Sequence, residues 1–273
     1  MTTIWQCGSH QFDLSKRPYI MGILNVTPDS FSDGGLHNGV TQAVEHARRM
    51  IAQGADVIDV GGESTRPGFD ENGVTLEEER RRVIPVVRAL CQEGFVVSVD
   101  TSKPEIMQEV ARLGAAILND IRGFRRPHAV RTAAATQCGL IVMHRKSRPV
   151  YRDVVQRVQA YLRARQELLQ AHGVAGNRIM WDPGFGFGKT PEQNFALLRA
   201  TPRFVAQGQP YMMALSRKSS LAIMTRRMPP RERIAASVAG ALFAIDRGAH
   251  FVRVHDCQET WDAIQIWRAA RGF

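Results

Sequence analysis

Eight short apolar runs, each followed by a stretch of helical periodicity, constrain this chain more than any other feature. The runs lie at 20–24, 57–60, 96–99, 116–118, 140–143, 179–181, 211–215 and 251–254. Most are near-continuously apolar, as strands covered on both faces of a parallel sheet must be. Between them, over 43–51, 77–90, 104–113, 154–171, 191–206, 233–245 and 260–270, apolar residues recur every three or four positions, the pattern of amphipathic helices. Pro104 and Pro191 stand where a first-turn N–H would be unpaired anyway, and Gly54, Gly94, Gly114 and Gly173 follow their helices as left-handed caps do. Eight strand–helix units joined by right-handed crossovers predict a closed α/β fold, a (β/α)8 TIM barrel, with an open doubly wound sheet as the alternative. The 273 residues suit one domain spanning 1–273, because such a barrel commonly takes about 250 residues. Within 1–17, the apolar pairs around Gly8-Ser9 predict an N-terminal hairpin placed to plug the barrel's amino-terminal end.

Hydrophobic residues make up 44% and charged residues 23%, so the chain can bury a core and is not a disordered segment. No apolar run approaches the ~20 residues of a membrane span, and the start lacks a basic region followed by an apolar core. A cytoplasmic location and no membrane partner are the expectation. The four cysteines lie far apart without a C-x-x-C pair, so neither a zinc site nor a disulfide framework is expected. The formal charge of +10 admits nucleic acid, a small polyanionic substrate, or a generally basic proteome. Its arginines fall in short clusters (80–82, 125–126, 226–227), the first just after Glu77-Glu78-Glu79, which reads as solvated helix faces. No interleaved basic–aromatic module accompanies them, so no nucleic-acid partner is expected.

In a parallel barrel, chemistry gathers where strands end and the following loops begin. The first run ends at Asn25, the third at Asp100, the fourth at Asn119-Asp120, the sixth at Asp182; the fifth enters His144 and the seventh Ser216-Arg217-Lys218-Ser219. Arg253 and His255 lie two apart near the eighth, so an extended chain points both to one face. Any one of these could be a helix cap or turn former. Together they put polar groups from several strands on one rim, and two buried carboxylates demand partners, such as a ligand with N–H donors or the cations Lys218 and Arg253. The loop DPGFGFGK over 182–189 fits neither a Walker A nor a dinucleotide pattern, since its glycines alternate. Alternating glycines let backbone approach a flat ligand, with Phe185 or Phe187 available to stack. GGESTRPG over 61–68 joins hydroxyls to one arginine, a set suited to a carboxylate or phosphate. The two longest strand-to-helix connections, 25–40 and 61–75, are expected to be functional.

These residues resemble the dihydropteroate synthase family of pterin-binding enzymes. MGILNVTPDSFSDGG over 21–35 is similar to that family's first signature, and 61–68, VDTSKP over 99–104, LNDI over 118–121, 182–189, SRKS over 216–219 and RVHD over 253–256 follow in the family's order. The resemblance implies an enzyme, a transferase of folate biosynthesis that joins 6-hydroxymethyl-7,8-dihydropterin diphosphate to p-aminobenzoate, giving 7,8-dihydropteroate and pyrophosphate. It implies a pterin site of Asp100, Asn119, Met143, Asp182 and Lys218, with Asp100, Lys218, Arg253 and His255 catalytic. It implies diphosphate binding by Asn25, Arg253 and His255, Mg2+ at Asn25, and p-aminobenzoate contacts from Phe31, Thr65, Arg66, Pro67, Phe187 and Ser219. A homodimer and sensitivity to sulfonamides are implied as well. The chain departs from the family at Met143-His144-Arg145-Lys146-Ser147, where M-H-M-Q-G is common, and at Ala214, where glycine is common. A corrinoid-type methyltransferase shares the barrel but needs neither the Thr65-Arg66 loop nor the anion set of 216–219 and 253–255.

Overall fold

The eight apolar runs become the eight parallel strands of one barrel in the computed structural model, which describes residues 3–26, 35–63, 74–145, 153–226 and 229–272. The barrel strands are β3 (Tyr19–Asn25), β4 (Val57–Gly61), β5 (Val97–Asp100), β6 (Ile117–Asp120), β7 (Gly139–Met143), β8 (Ile179–Asp182), β9 (Met212–Met213) and β10 (Phe251–Val254), preceded by β1 (Ile4–Cys7) and β2 (His10–Asp13). The helices are α1 (Gly35–Ala52), α2 (Leu76–Gln92), α3 (Pro104–Arg112), α4 (Ala129–Ala134), α5 (Val154–Ala171), α6 (Pro191–Arg199), α7 (Thr201–Val205), α8 (Ser219–Thr225), α9 (Ile234–Asp246) and α10 (Cys257–Ala270). The sheet order β8-β7-β6-β5-β4-β3-β10-β9 follows the chain around a ring. It closes where Trp181 bridges Tyr211 in parallel and its N–H donates to Pro210 O at 2.8 Å. Closure excludes the open doubly wound sheet.

Side chains alternate across each barrel strand, and this alternation builds the molecule. Ile58, Val60, Val97, Val99, Leu118, Leu140, Val142, Ile179 and Val252 pack outward against the helices in the larger core cluster. Their neighbours Met21, Val57, Ile117, Ile141, Met180 and Phe251 point into the barrel and form a second apolar cluster with the hairpin residues Trp5 and Phe12. The hairpin is the expected plug. Trp5 is fully buried, edge-on to Phe251 at 5.1 Å between ring centroids, and its indole N–H donates to Arg178 O at 3.0 Å.

Four details differ from the sequence reading or refine it. The helix expected over 191–206 is two, α6 and α7, because Pro202 sits in the first turn of α7 and cannot continue a helix from α6. The short helices α4 and α8 have too few turns to show a periodicity. Gly54, Gly94, Gly114 and Gly173 all take positive φ, as left-handed caps require. The arginines of 80–82 do pair with acids, Arg80 with Glu77 and Glu109, and Arg81 and Arg82 with Glu78. Arg82 is nonetheless buried and also donates to Gly62 O at 2.9 Å, so it anchors the end of β4.

Candidate active site

Continuing the strands by one inward position beyond the apolar floor reaches a polar residue on each except β7, where it reaches Met143. Above Val57 stands Asp59, above Ile117 Asn119, above Ile141 Met143, above Met180 Asp182, and above Phe251 Arg253. Asn25 and Asp100 end β3 and β5 in the adjoining register, where Asn25 pairs with Gly61 and Gly61 with Asp100. Of the strand-end residues named from the sequence, Asn25, Asp100, Asn119, Asp182 and Arg253 therefore converge on one cup at the carboxyl end of the barrel.

Arg253 occupies its centre. Its Nε donates to Asp59 Oδ2 at 2.6 Å and its Nη2 to Asp100 Oδ2 at 3.1 Å. Asp59 is fully buried and also accepts from Ser98 Oγ at 2.5 Å and Asn119 Nδ2 at 3.2 Å. With its NH2 committed to an acceptor, Asn119 keeps its carbonyl oxygen for a donor in the cup. Burial raises the Asp100 carboxyl to about 8, against the opposing pull of Arg253 and with the push of Asp59.

Asp182 stands across the cup, 2% exposed, accepting the Gly184 N–H at 2.7 Å through Oδ1. Burial raises its pKa, against Lys218 and Arg253. The Lys218 ammonium reaches Phe185 O and lies 4.0 Å from the centroid of the Phe187 ring. Burial brings Lys218 down to about 7, while Asp182 pulls it up. The Ser216 hydroxyl accepts the His255 backbone N–H at 3.2 Å and is hydrogen-bonded to the ring Nδ1 at 3.0 Å, which orients the imidazole.

The DPGFGFGK loop is held by its own lysine. Lys189 Nζ donates to Gly184 O at 2.7 Å and to His144 O and Phe187 O at 3.1 Å, which leaves it no phosphate-binding role of the Walker type. Gly186 has φ +81°, and a Cβ there would lie 2.6 Å from Lys218 Cδ. Gly184 has φ +70°, and its Cβ would meet His144 O at 1.9 Å. Phe185 is fully buried against Phe195, so of the two aromatics only Phe187 borders the cup. Asn194, also fully buried, accepts from Gly186 N at 2.7 Å and donates to Ser220 Oγ at 2.8 Å, tying this loop to the start of α8 beside Lys218 and Ser219.

Phe31, Thr65, Arg66, Pro67 and Lys146 lie outside the described residues. Arg145 is half-buried at the end of β7, and Ala214 is buried beyond β9. Arg217, inside the SRKS motif, turns away from the cup and pairs with Asp256, its Nε 3.1 Å from Oδ2. Asp120 likewise faces outward and accepts the backbone N–H groups of Arg122 and Phe124 at 2.8 and 2.7 Å. Asp59 and Ser98 escaped the sequence reading because they sit inside their strands. The available signal was a charged residue in the middle of an apolar run, two positions after an inward valine.

A family model described as pterin binding enzyme matches residues 21–255. The chain is 46% identical over 265 residues to dihydropteroate synthase of Escherichia coli (strain K12), covering 94% of this chain and 93% of that one. The structure of Xanthomonas albilineans dihydropteroate synthase with 4-aminobenzoic acid superposes with a TM-score of 0.94 at 43% identity, over 100% of both chains. That of Burkholderia cenocepacia dihydropteroate synthase complexed with 7,8-dihydropteroate gives 0.90 at 43% identity, over 99% of this chain and 97% of that one. The chain therefore belongs to the pterin-binding enzyme family, among its dihydropteroate synthases.

Proposed function

We propose that this protein condenses 6-hydroxymethyl-7,8-dihydropterin diphosphate with p-aminobenzoate, forming 7,8-dihydropteroate and pyrophosphate. The observation that carries this is the cup itself: two acceptors, Asp182 and the Asn119 carbonyl, stand on the strands either side of β7, in one cup with Lys218, Arg253 and Asp100. A pterin presents ring N–H and amino donors on one edge, which these acceptors fit. Asp182 is already oriented by the Gly184 N–H, so one of its oxygens remains for the ring. Met143, 2% exposed, forms an apolar wall of the same cup.

Breaking the methylene C–O bond sends its electron pair to the diphosphate and leaves a cation delocalised into the pterin. Ionised Asp100 favours that cation, while Arg253 and the imidazole of His255 face the developing negative charge. The arylamine lone pair then forms the C–N bond, and its proton leaves to water. We assign Phe187 and Ser219, next to Lys218, to the aminobenzoate; Phe31, Thr65, Arg66 and Pro67 complete that contact in our reading, and sulfonamides would compete there.

Mg2+ fits the donor set. Asn25 is exposed at the end of β3, and its Oδ1 lies 3.8 Å from where a Gly61 Cβ would be, with the Asp100 Cβ 3.7 Å from that point. A single amide oxygen suffices for an ion that keeps several waters and takes its remaining oxygens from a diphosphate. When bound there, it would neutralise the leaving group.

Because carbon–oxygen cleavage precedes attack, pyrophosphate should appear slowly from the pterin diphosphate even without p-aminobenzoate. A coupled pyrophosphate assay with and without the arylamine tests this. Release strictly dependent on p-aminobenzoate would rule out the stepwise order, and no dihydropteroate from folded protein with Mg2+ would overturn the activity.

We place the enzyme in the cytoplasm, where its four free cysteines would stay reduced, and no helix among the described residues is long and apolar enough to cross a membrane. We also propose a homodimer joined through the flank where Ile223 and Met224 of α8 are 54% and 60% exposed. Sedimentation should give twice the monomer mass at micromolar protein, and Met224→Glu should shift it to the monomer. A monomeric wild-type protein would refute the dimer.

A further inference from the structure

Arg125 and Arg126, adjacent in the connection after β6, do not simply face water. The fold gathers them with Arg131 of α4, Arg165 of α5, His128 and His172 around one cavity of about 500 Å³ on the outer flank of the barrel. No carboxylate lines it. Some arginines elsewhere meet acids, Arg17 with Asp56, Arg48 with Glu93, Arg80 with Glu77 and Glu109, and Arg217 with Asp256, while Arg178 donates to the carbonyls of Thr136 and Cys138. Among the described residues, none of the four cavity arginines is in such an ion pair.

The cavity is also built. Arg165 Nε donates to Gly123 O at 2.8 Å and its Nη2 to Phe124 O at 2.7 Å, so its guanidinium is fixed before any ligand arrives. Burial works against the Arg165 charge; Tyr161 and Asp120 offset this in part, and Arg125 adds to it. Four like charges around one concavity repel one another, and an anion would relieve that repulsion. Planar guanidinium groups bind phosphate oxygens two at a time. Val130 and Leu168 add an apolar edge to the opening, and the volume lies within the ~300–1,000 Å³ of small-molecule sites.

We propose that this cavity binds a compact polyphosphate anion, the chemistry shared by inorganic polyphosphates and nucleoside triphosphates. It is separate from the cup. The strand β6 turns Asn119 inward, whereas Asp120 faces outward and holds the backbone of Arg122 and Phe124, from which the arginine-bearing connection runs on. A bound polyphosphate would thus fix the segment that follows the pterin-facing end of β6.

The test uses the full chain without Mg2+, with inorganic tripolyphosphate and ATP as separate probes. Hydrogen exchange locates binding, and calorimetry at low and physiological salt measures it. Either probe should protect the amides of 121–134. The double substitution Arg126→Ser/Arg131→Ser changes two side chains that leave the fold's hydrogen bonds intact, and should weaken that binding by about ten- to hundredfold. Synthase activity without added polyphosphate should be unchanged in the double variant. Protection by both probes points to the phosphates alone, and protection by ATP only to a nucleotide. No protection of 121–134 by either, or the same affinity in the double variant, would overturn the proposal.

Discussion

Removing the Arg253 guanidinium is expected to lower stability and turnover together. It is the shared partner of Asp59, which is fully buried, and of Asp100, whose side chain is 13% exposed. Truncating one member of a buried ion pair typically costs about 3–5 kcal/mol, because the surviving charge stays in a dry interior without compensation. In Arg253→Ala, Asp59 would keep the Ser98 hydroxyl and the Asn119 amide but lose its only contact of full opposite charge among the described residues. The same substitution removes a cation facing the departing diphosphate, so kcat/KM should fall by about 10²–10³. A second substitution separates the two effects. Asp59→Asn in the Arg253→Ala background removes the stranded charge and should restore about 1–3 kcal/mol of stability without restoring activity. Urea unfolding of the single and double variants at pH 7, beside initial rates, checks both arms. An unchanged unfolding midpoint in Arg253→Ala would mean that Asp59 is not held by this pair.

That network marks the boundary of what was legible in the sequence. Strand ends were readable because a polar residue interrupts an apolar run there, and so Asn25, Asp100, Asn119, Asp182, Arg253 and His255 could be placed on one rim from periodicity and fold class. Asp59 was hidden because it lies within its run: Val57 and Asp59 point inward while Ile58 and Val60 point outward. A buried parallel strand is apolar on both faces, so its period-2 alternation carries no visible contrast, and a single aspartate reads as an irregularity. Arg217 shows the converse. It sits in a motif otherwise devoted to the cup, yet its positive φ of 59° turns it to Asp256, a reversal that residue type does not announce. The basic pairs were ambiguous for the same reason. Those of 80–82 meet acids already visible one turn earlier on the same helix, whereas Arg125 and Arg126 meet Arg131 and Arg165 only through the packing of α4 and α5.

Asp100→Asn should yield a protein that is more stable at alkaline pH and much less active. Burial places the Asp100 carboxyl at about 8 in the folded state, above the ordinary carboxylate value of 3.8. A raised carboxyl means that the folded protein binds more protons than the unfolded chain between those two values. Its contribution to stability is therefore present below the unfolded pKa and is lost as pH rises towards 8. An asparagine does not ionise, keeps an oxygen for Arg253 Nη2, and abolishes that loss. With the carboxylate partly solvated and paired, the gain at pH 9 should be about 1–3 kcal/mol, below what the full shift would imply. Activity should move the other way. The ionised carboxylate favours the cation that forms when diphosphate departs, so Asp100→Asn should lower kcat/KM by about 10²-fold. In the wild type, kcat/KM should rise with pH as Asp100 ionises, and that limb should vanish in the variant. Thermal unfolding at pH 6 and pH 9, with a pH–rate profile, decides the matter. A variant less stable than wild type at pH 9 would show that Arg253 outweighs burial at this carboxylate. The expected result would instead mean that the site holds a charge the fold disfavours, because the reaction needs it where the pterin cation forms.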